Sequence, residues 1–239
     1  MKHKSSIRLY APCFEGSGIT WGEQSAGYAV KNKGSDSVTE FNRRSRTYET
    51  SWEQWLIFDR VHRIVLDFAK EIDPGCVLDI GCGTGRLLRK AGECWPSAQL
   101  IGVDHAEGMV ERARSLTPNA TFHLSSAESL PLPDSYVDLA FSTLSFHHWS
   151  NQRQAVKQVA RVLRPGGHFV LADISPPLGI WKIVRHFQTN SPSRIREKFE
   201  FAGLTVVTQK RFLGRFLLVT LGERRMDDPS SISMDYPHD

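Results

Sequence analysis

The chain has 239 residues, 40% of them hydrophobic and 23% charged, which is enough to bury one substantial core. Lys and Arg number 30 against 26 Asp and Glu, a surplus too small to argue for nucleic acid or an anionic membrane as partner. No window holds the roughly 18 apolar residues of a transmembrane helix. The four cysteines, Cys13, Cys76, Cys82 and Cys94, show neither CxxC spacing nor a histidine at ligand spacing, so the sequence predicts free thiols, no metal and a cytoplasmic, reducing setting.

Residues 1–38 are rich in Gly, Ser and Lys and poor in apolar periodicity, and they are expected to form a loose extension. The stretch is acid-free up to Glu15, which leaves a transit peptide open as an alternative. One domain is expected over 39–222, with a flexible tail over 223–239. In its first helix, Trp52, Trp55, Leu56, Ile64, Val65 and Phe68 recur at helical spacing, and Pro74-Gly75 closes the run. Thr50 with Glu53, or Ser51 with Gln54, offers a capping box.

Strand-like and helix-like runs then alternate. The strands are CVLDI (76–80), QLIGV (99–103), ATFHL (120–124), YVDLAFS (136–142) and HFVLADI (168–174). Between them lie the helical GRLLRKAGE, EGMVERARSL, a short piece near SAESL, and NQRQAVKQVARVL, closed by Pro165-Gly166-Gly167. Such alternation predicts right-handed crossovers and a parallel sheet covered on both faces. PSRIREKFEFAG adds a helix, and LTVVTQ and RFLLVTLG, joined by a tight turn, add two strands. The expected fold is a single α/β domain: seven strands, mostly parallel, with helices on both faces and an antiparallel last strand.

In CVLDIGCGTGRLL, Gly81, Gly83 and Gly85 follow the first strand, with Asp79 just before them. Ligands of such sheets bind at the carboxyl ends of the strands, and glycines there let the backbone turn sharply and approach the ligand. A tight turn without a ligand has the same spacing. Asp104, nineteen residues beyond Gly85, ends the second strand, where an acid can accept both ribose hydroxyls or simply cap a helix. A dinucleotide fingerprint wants a third glycine where this chain has Arg86. A carboxylate at position 79 suits a ligand carrying an amino group and a sulfonium better than a diphosphate. That combination points to S-adenosylmethionine.

VLDIGCGTG, GVDHAEGMVERAR, SAESLPLPDSYVDLAFSTLSFHHW and RVLRPGGHFVLAD resemble, in order and spacing, the signature blocks of class I SAM-dependent methyltransferases. Within them they resemble the small-molecule branch (methyltransferase type 11) that includes the quinone-biosynthesis enzymes. The resemblance covers about residues 41–221 and implies a Rossmann-like domain. It implies that Asp79, Gly81 and Gly83 hold the methionine end, with Gly85 completing the loop. Asp104 would hold the ribose, Met109 would pack on the adenine, and Ser126, Ala127 and Glu128 would line the adenine edge. Ser126 departs from the acid usual in the family, and Ala106 stands where a capping serine is common. Ser142 would meet the cofactor's amino group. Tyr48 would close over the methionine moiety, or would be a packed aromatic only.

Transfer from a sulfonium requires an acceptor held in line, exclusion of water and, for a protonated acceptor, removal of a proton. His147 and His148, just past the fourth strand, are the catalytic candidates, since histidine titrates near neutrality. A purely structural role in packing or helix capping stands beside that reading. Residues 175–190, with Ile180, Trp181, Val184 and Phe187, are expected to roof the acceptor pocket together with the helix before Pro74; they read either as a core-packing helix or as a lid favouring an apolar or amphipathic acceptor. The expected function is therefore methyl transfer from SAM to a small molecule. Methylation of nucleic acid or protein, and a non-catalytic SAM-binding module, are the alternatives. A nicotinamide-dependent oxidoreductase is disfavoured by Asp79 and Arg86.

Overall fold

The computed structural model describes residues 52–175 and 190–226. Tyr48, the proposed capping boxes, the extension at 1–38 and most of the expected roof lie outside them.

The described chain begins with helix α1 (Trp52–Phe68) and enters the sheet at β1 (Cys76–Ile80). Then follow α2 (Arg86–Cys94), β2 (Gln99–Asp104), α3 (Glu107–Leu116), β3 (Ala120–Leu124) and β4 (Val137–Thr143). A single 3-10 turn (Phe146–His148) leads to α4 (Gln152–Val162) and β5 (Leu163–Ile174). The last elements are α5 (Pro192–Phe201), β6 (Leu204–Phe212) and β7 (Leu217–Arg224). The seven strands form one sheet in the order β3-β2-β1-β4-β5-β7-β6, with β7 antiparallel to both of its neighbours. That is the predicted fold.

Every residue of β1 is buried, as expected of a strand covered on both faces. Its side chains alternate between two cores. Cys76, Leu78 and Ile80 join Val156, Val159, Phe169 and Phe199 on one face. Val77 joins Val61, Val65, Leu88, Ala91 and Phe141 on the other. Asp79 projects to the same side as Val77 by the strand's period of two, and its backbone pairs with Gly102 and Phe141. Strand order reverses beside β1, between β2 and β4. An open crevice is expected there, at the carboxyl ends.

Local chemistry moves several boundaries. Helix α1 ends at Phe68, short of Pro74, where Ala69 N donates to Leu66 O at 3.1 Å and the Trp95 indole takes Ile72 O at 3.0 Å. SAESL forms no helix: Ser125 Oγ donates to Ser129 O at 2.6 Å and Ser129 N to Ser126 O at 3.2 Å, a local turn that competes with helical bonding. Strand β5 starts at Leu163, which pairs with Val137, so Pro165-Gly166-Gly167 lies within the strand instead of ahead of it. Strand β6 runs three residues past its predicted end and β7 is displaced two residues along the chain, which puts their turn at 213–216. Caps follow the sequence chemistry elsewhere: Asn151 accepts from Gln154 N at the start of α4, and Ser191 accepts from Arg194 N ahead of Pro192 in α5.

Candidate functional site

A cavity of about 260 Å³ opens at the carboxyl ends of β1, β2 and β4. Asp79, Gly81, Gly83, Asp104, Met109, Ser126, Ala127, Glu128 and His148 all line it. Residues up to 69 positions apart in sequence thus converge on one space.

The glycine loop forms the floor. Gly81 and Cys82 donate their N–H groups to Val103 O at 2.8 and 3.1 Å, which ties the loop to β2. Gly81, at φ +75°, is in the left-handed region, and a Cβ there would overlap the Ser145 side chain. A Cβ at Gly83 would meet nothing within 4 Å, so the backbone faces open space. Gly85 is not on the lining; it starts α2 at φ +76° and packs against Phe122.

Asp104 clamps this loop. One carboxylate oxygen accepts from Gly83 N at 2.8 Å and the other from Ala106 N at 2.9 Å. Each oxygen retains a second lone-pair direction, which leaves room for a vicinal diol. With Ala106 at its N-cap, which has no side-chain oxygen, α3 starts without a side-chain cap. Met109, almost fully buried on α3, supplies an apolar wall beside it.

Asp79 is the electrostatic centre of the site. It is buried, and its Oδ1 has no hydrogen-bond partner among the described residues. Burial, and then the negative charge of Asp104, push its pKa up to about 8. Burial and the same two acids raise the neighbouring Cys82 thiol. A cationic ligand group would relieve this arrangement, whereas an anionic one would be repelled.

The β4 side is built differently. Ser142 is fully buried and off the cavity; its hydroxyl bonds Ser145 Oγ at 2.8 Å. Ser145, which does line the cavity, gives its proton to Ile80 O at 3.0 Å, so Ser142 is the donor of the pair. Leu144, between them, is a non-glycine residue at φ +53° on the cavity wall. Such a residue costs of order 1–2 kcal/mol, and such conformations cluster at functional sites. His148 reaches the cavity, while His147 sits behind it, with ring centroids 4.0 Å apart. His147 Nδ1 lies 2.7 Å from Asp173 Oδ1, and both residues are buried. Glu128 accepts from Asn151 N at 3.0 Å and so anchors the start of α4.

Phe58, His62 and Arg86 also line the cavity and were not singled out as site residues from the sequence. Phe58 and His62 are four residues apart on α1, with ring centroids 6.0 Å apart. Burial, reinforced by Lys90 and Arg86, lowers the pKa of His62 to about 3, so its imidazole is neutral. The signal available was a histidine three residues before Val65, on the apolar stripe of α1. Arg86 was legible only as a glycine that is missing. Among the described residues no cluster of His, Cys, Asp and Glu could hold a metal ion, and Cys76, Cys82 and Cys94 are free thiols.

Residues 78–171 match a family described as a methyltransferase domain. The malonyl-[acyl-carrier protein] O-methyltransferase of Methylococcus capsulatus is 37% identical over 102 residues, which is 41% of this chain and 37% of that protein. An uncharacterized methyltransferase of Bacillus subtilis, YcgJ, is 38% identical over 130 residues, 51% of this chain and 50% of that protein. The chain thus spans half or less of the length of these two relatives. A SAM-dependent methyltransferase from Aquifex aeolicus shares the fold, with a TM-score of 0.58 at 22% identity, over 68% of this chain and 89% of that one.

Proposed function

We propose that the chain, whose residues 78–171 match a methyltransferase domain family, transfers a methyl group from S-adenosylmethionine to a small, apolar or amphipathic acceptor by in-line displacement. The observation that carries this reading is Asp79: a buried acid with an unpartnered oxygen, two residues before a bare glycine loop and across the cavity from Asp104. A sulfonium that also bears an ammonium supplies the cationic character that this floor lacks.

In this reading Asp79 and the backbone at Gly81 and Gly83 orient the methionine end. Asp104 takes the ribose hydroxyls on the lone pairs that Gly83 N and Ala106 N leave open. Met109 packs on the adenine, whose edge lies along Ser126, Ala127 and Glu128. Ser145, and not Ser142, presents its hydroxyl oxygen from the β4 side. Tyr48, which the family resemblance implicates at the methionine moiety, lies outside the described residues. When bound, the cofactor supplies an activated methyl group; the chain holds the acceptor in line and excludes water. His147 and His148 take the proton of an acceptor that must lose one.

The relatives' names carry weight for the substrate class only as analogy: one of them is named an O-methyltransferase of malonyl-[acyl-carrier protein]. The balance of charge, +4 over the whole chain, supports a small acceptor over nucleic acid. The free thiols Cys76, Cys82 and Cys94 support a reducing, cytoplasmic setting. Among the described residues no helix is long and apolar enough to cross a membrane.

Calorimetry with SAM, S-adenosylhomocysteine and NADH tests the cofactor. Heat from the two adenosyl ligands and none from NADH is expected; the reverse would sink the proposal. Incubating cell extract with methyl-labelled SAM, followed by mass identification of the labelled product, then reports the acceptor.

A further inference from the structure

Three strands deliver side chains to the cavity, and at the ends of β4 and β5 a buried histidine meets a buried acid within hydrogen-bond distance. His147, in the turn after β4, and Asp173, at the carboxyl end of β5, are 26 residues apart and meet at 2.7 Å. Their side chains are each only 5% exposed. Asp173 Oδ1 also accepts from Ile174 N at 2.8 Å, which fixes the carboxylate against the backbone. The His147 ring in turn lies against that of His148, tilted by 44°. His148 is the member of this set that lines the cavity. Gln152 closes the other side by donating to Phe146 O at 3.0 Å, and so holds the 3-10 turn that carries both histidines.

A buried carboxylate against Nδ1 selects one form of a neutral imidazole, with the proton on Nδ1 and the lone pair on Nε2. It also prevents the ring from turning over. Held in that way, His147 becomes a rigid support for the tilted ring that packs against it. Structural packing alone would not require an acid here: burying a charge is costly unless it is paired, and an apolar residue would fill the same space.

We infer that Asp173 is a positioning residue: it fixes the tautomer and plane of His147, and His147 holds His148 at the cavity wall as the base for the methyl acceptor. The inference rests on the methyltransferase reading and specifies an acceptor class, one that carries a hydroxyl. In the step, the acceptor oxygen forms a bond to the methyl carbon while the carbon–sulfur bond breaks and its electron pair goes to sulfur. The hydroxyl proton passes to the His148 imidazole, which returns it to water. The products are a methyl ether, S-adenosylhomocysteine and a proton. The other acid on this stretch of wall, Glu128, is engaged with Asn151 N at 3.0 Å.

The test uses the full chain with histidine labelled in its ring nitrogens. In the wild type, nitrogen NMR should show His147 protonated on Nδ1; a proton on Nε2 would overturn the proposal before any acceptor is known. Asp173→Asn keeps an acceptor for Ile174 N but removes the preference for one tautomer; in a catalytic triad the same change costs roughly 10⁴-fold in kcat with geometry intact. With methyl-labelled SAM and a panel of phenols and quinols, Asp173→Asn and His148→Gln should each lower kcat by roughly 10²–10⁴-fold, with KM for SAM unchanged. The double variant should fall no further than the worse single one, because residues acting as a unit are non-additive. Independent, additive losses, or an Asp173→Asn enzyme with wild-type kcat, would overturn the proposal. Failure of S-adenosylhomocysteine to give heat in calorimetry would instead strike the cofactor reading on which it stands.

Discussion

The two sides of the cavity are held by different kinds of bond. On the β1–β2 side the loop is tied down by its own backbone N–H groups: Gly81 and Cys82 on Val103 O, and Gly83 on the Asp104 carboxylate. On the β4–β5 side backbone bonds such as Leu144 N on Ala172 O are joined by bonds that side chains donate: Ser142 on Ser145, His147 on Asp173, Gln152 on Phe146 O. A backbone-built wall suits a ligand that never changes, whereas a side-chain wall can be altered one residue at a time. We read the first as the cofactor's and the second as the acceptor's.

Asp104→Ala strikes the first wall hardest. It removes the acceptor for Gly83 N and Ala106 N as well as the contact to ribose, and hydrogen bonds to a charged group contribute about 1.5–3 kcal/mol each. With partial replacement by water, SAM affinity should fall on the order of ten- to a thousandfold, measured by calorimetry, while β4–β5 amides keep their hydrogen-exchange protection. Loss of protection on both sides would erase the distinction.

Asp79 gives the next largest effect, through pH. Its carboxyl, raised from 3.8 to about 8, is protonated at neutrality, whereas a bound ammonium or sulfonium favours its ionised form. Binding near pH 7 should therefore release about one proton, and affinity should rise about tenfold per pH unit up to 8 before levelling. Titrations in two buffers of different ionisation heat count that proton. Between pH 3.8 and about 8 the folded protein holds a proton that the unfolded chain has lost, so stability without ligand should decline as pH rises across that window. Asp79→Asn should flatten both dependences; if either persists, another group titrates on this wall.

Smaller effects sharpen the second wall. Ser145→Ala breaks its bonds to Ile80 O and Ser142 and strands a buried hydroxyl, which should cost about 1–3 kcal/mol in denaturant melts and leave the bonds of Asp104 to Gly83 N and Ala106 N in place. The smallest expected change is a gain. Ala106→Ser restores an oxygen at an uncapped helix start and should add about 1 kcal/mol, seen as a higher melting temperature. A loss there would mean that the buried site has no room for the hydroxyl.

The same contrast decides what could be read without coordinates. The sheet followed from strands that are apolar along their whole length, and the loop from glycines, because both signals are local. Asp79, Asp104 and Met109 needed only the order of elements to be placed. The partnership of His147 with Asp173 spans two strands, and no local pattern marks Asp173 within HFVLADI as different from an edge residue. Ser142 was placed on the right strand, but the lining begins at the next residue, Thr143, and the serine on it is Ser145, past the turn that Leu144 makes at φ +53°. The helix expected at SAESL was lost to serine hydroxyls that bond their own backbone, a competition that apolar periodicity does not register.

Gly81 and Ser145 touch so closely that they share one volume. Neither position can therefore drift by itself. A relative that enlarges residue 81 must shrink residue 145, and a designer who wants a wider acceptor mouth by trimming Ser145 also frees the first glycine from its steric lock. Substitution histories at the two positions should be correlated, although they lie on different strand ends and 64 residues apart by their numbers.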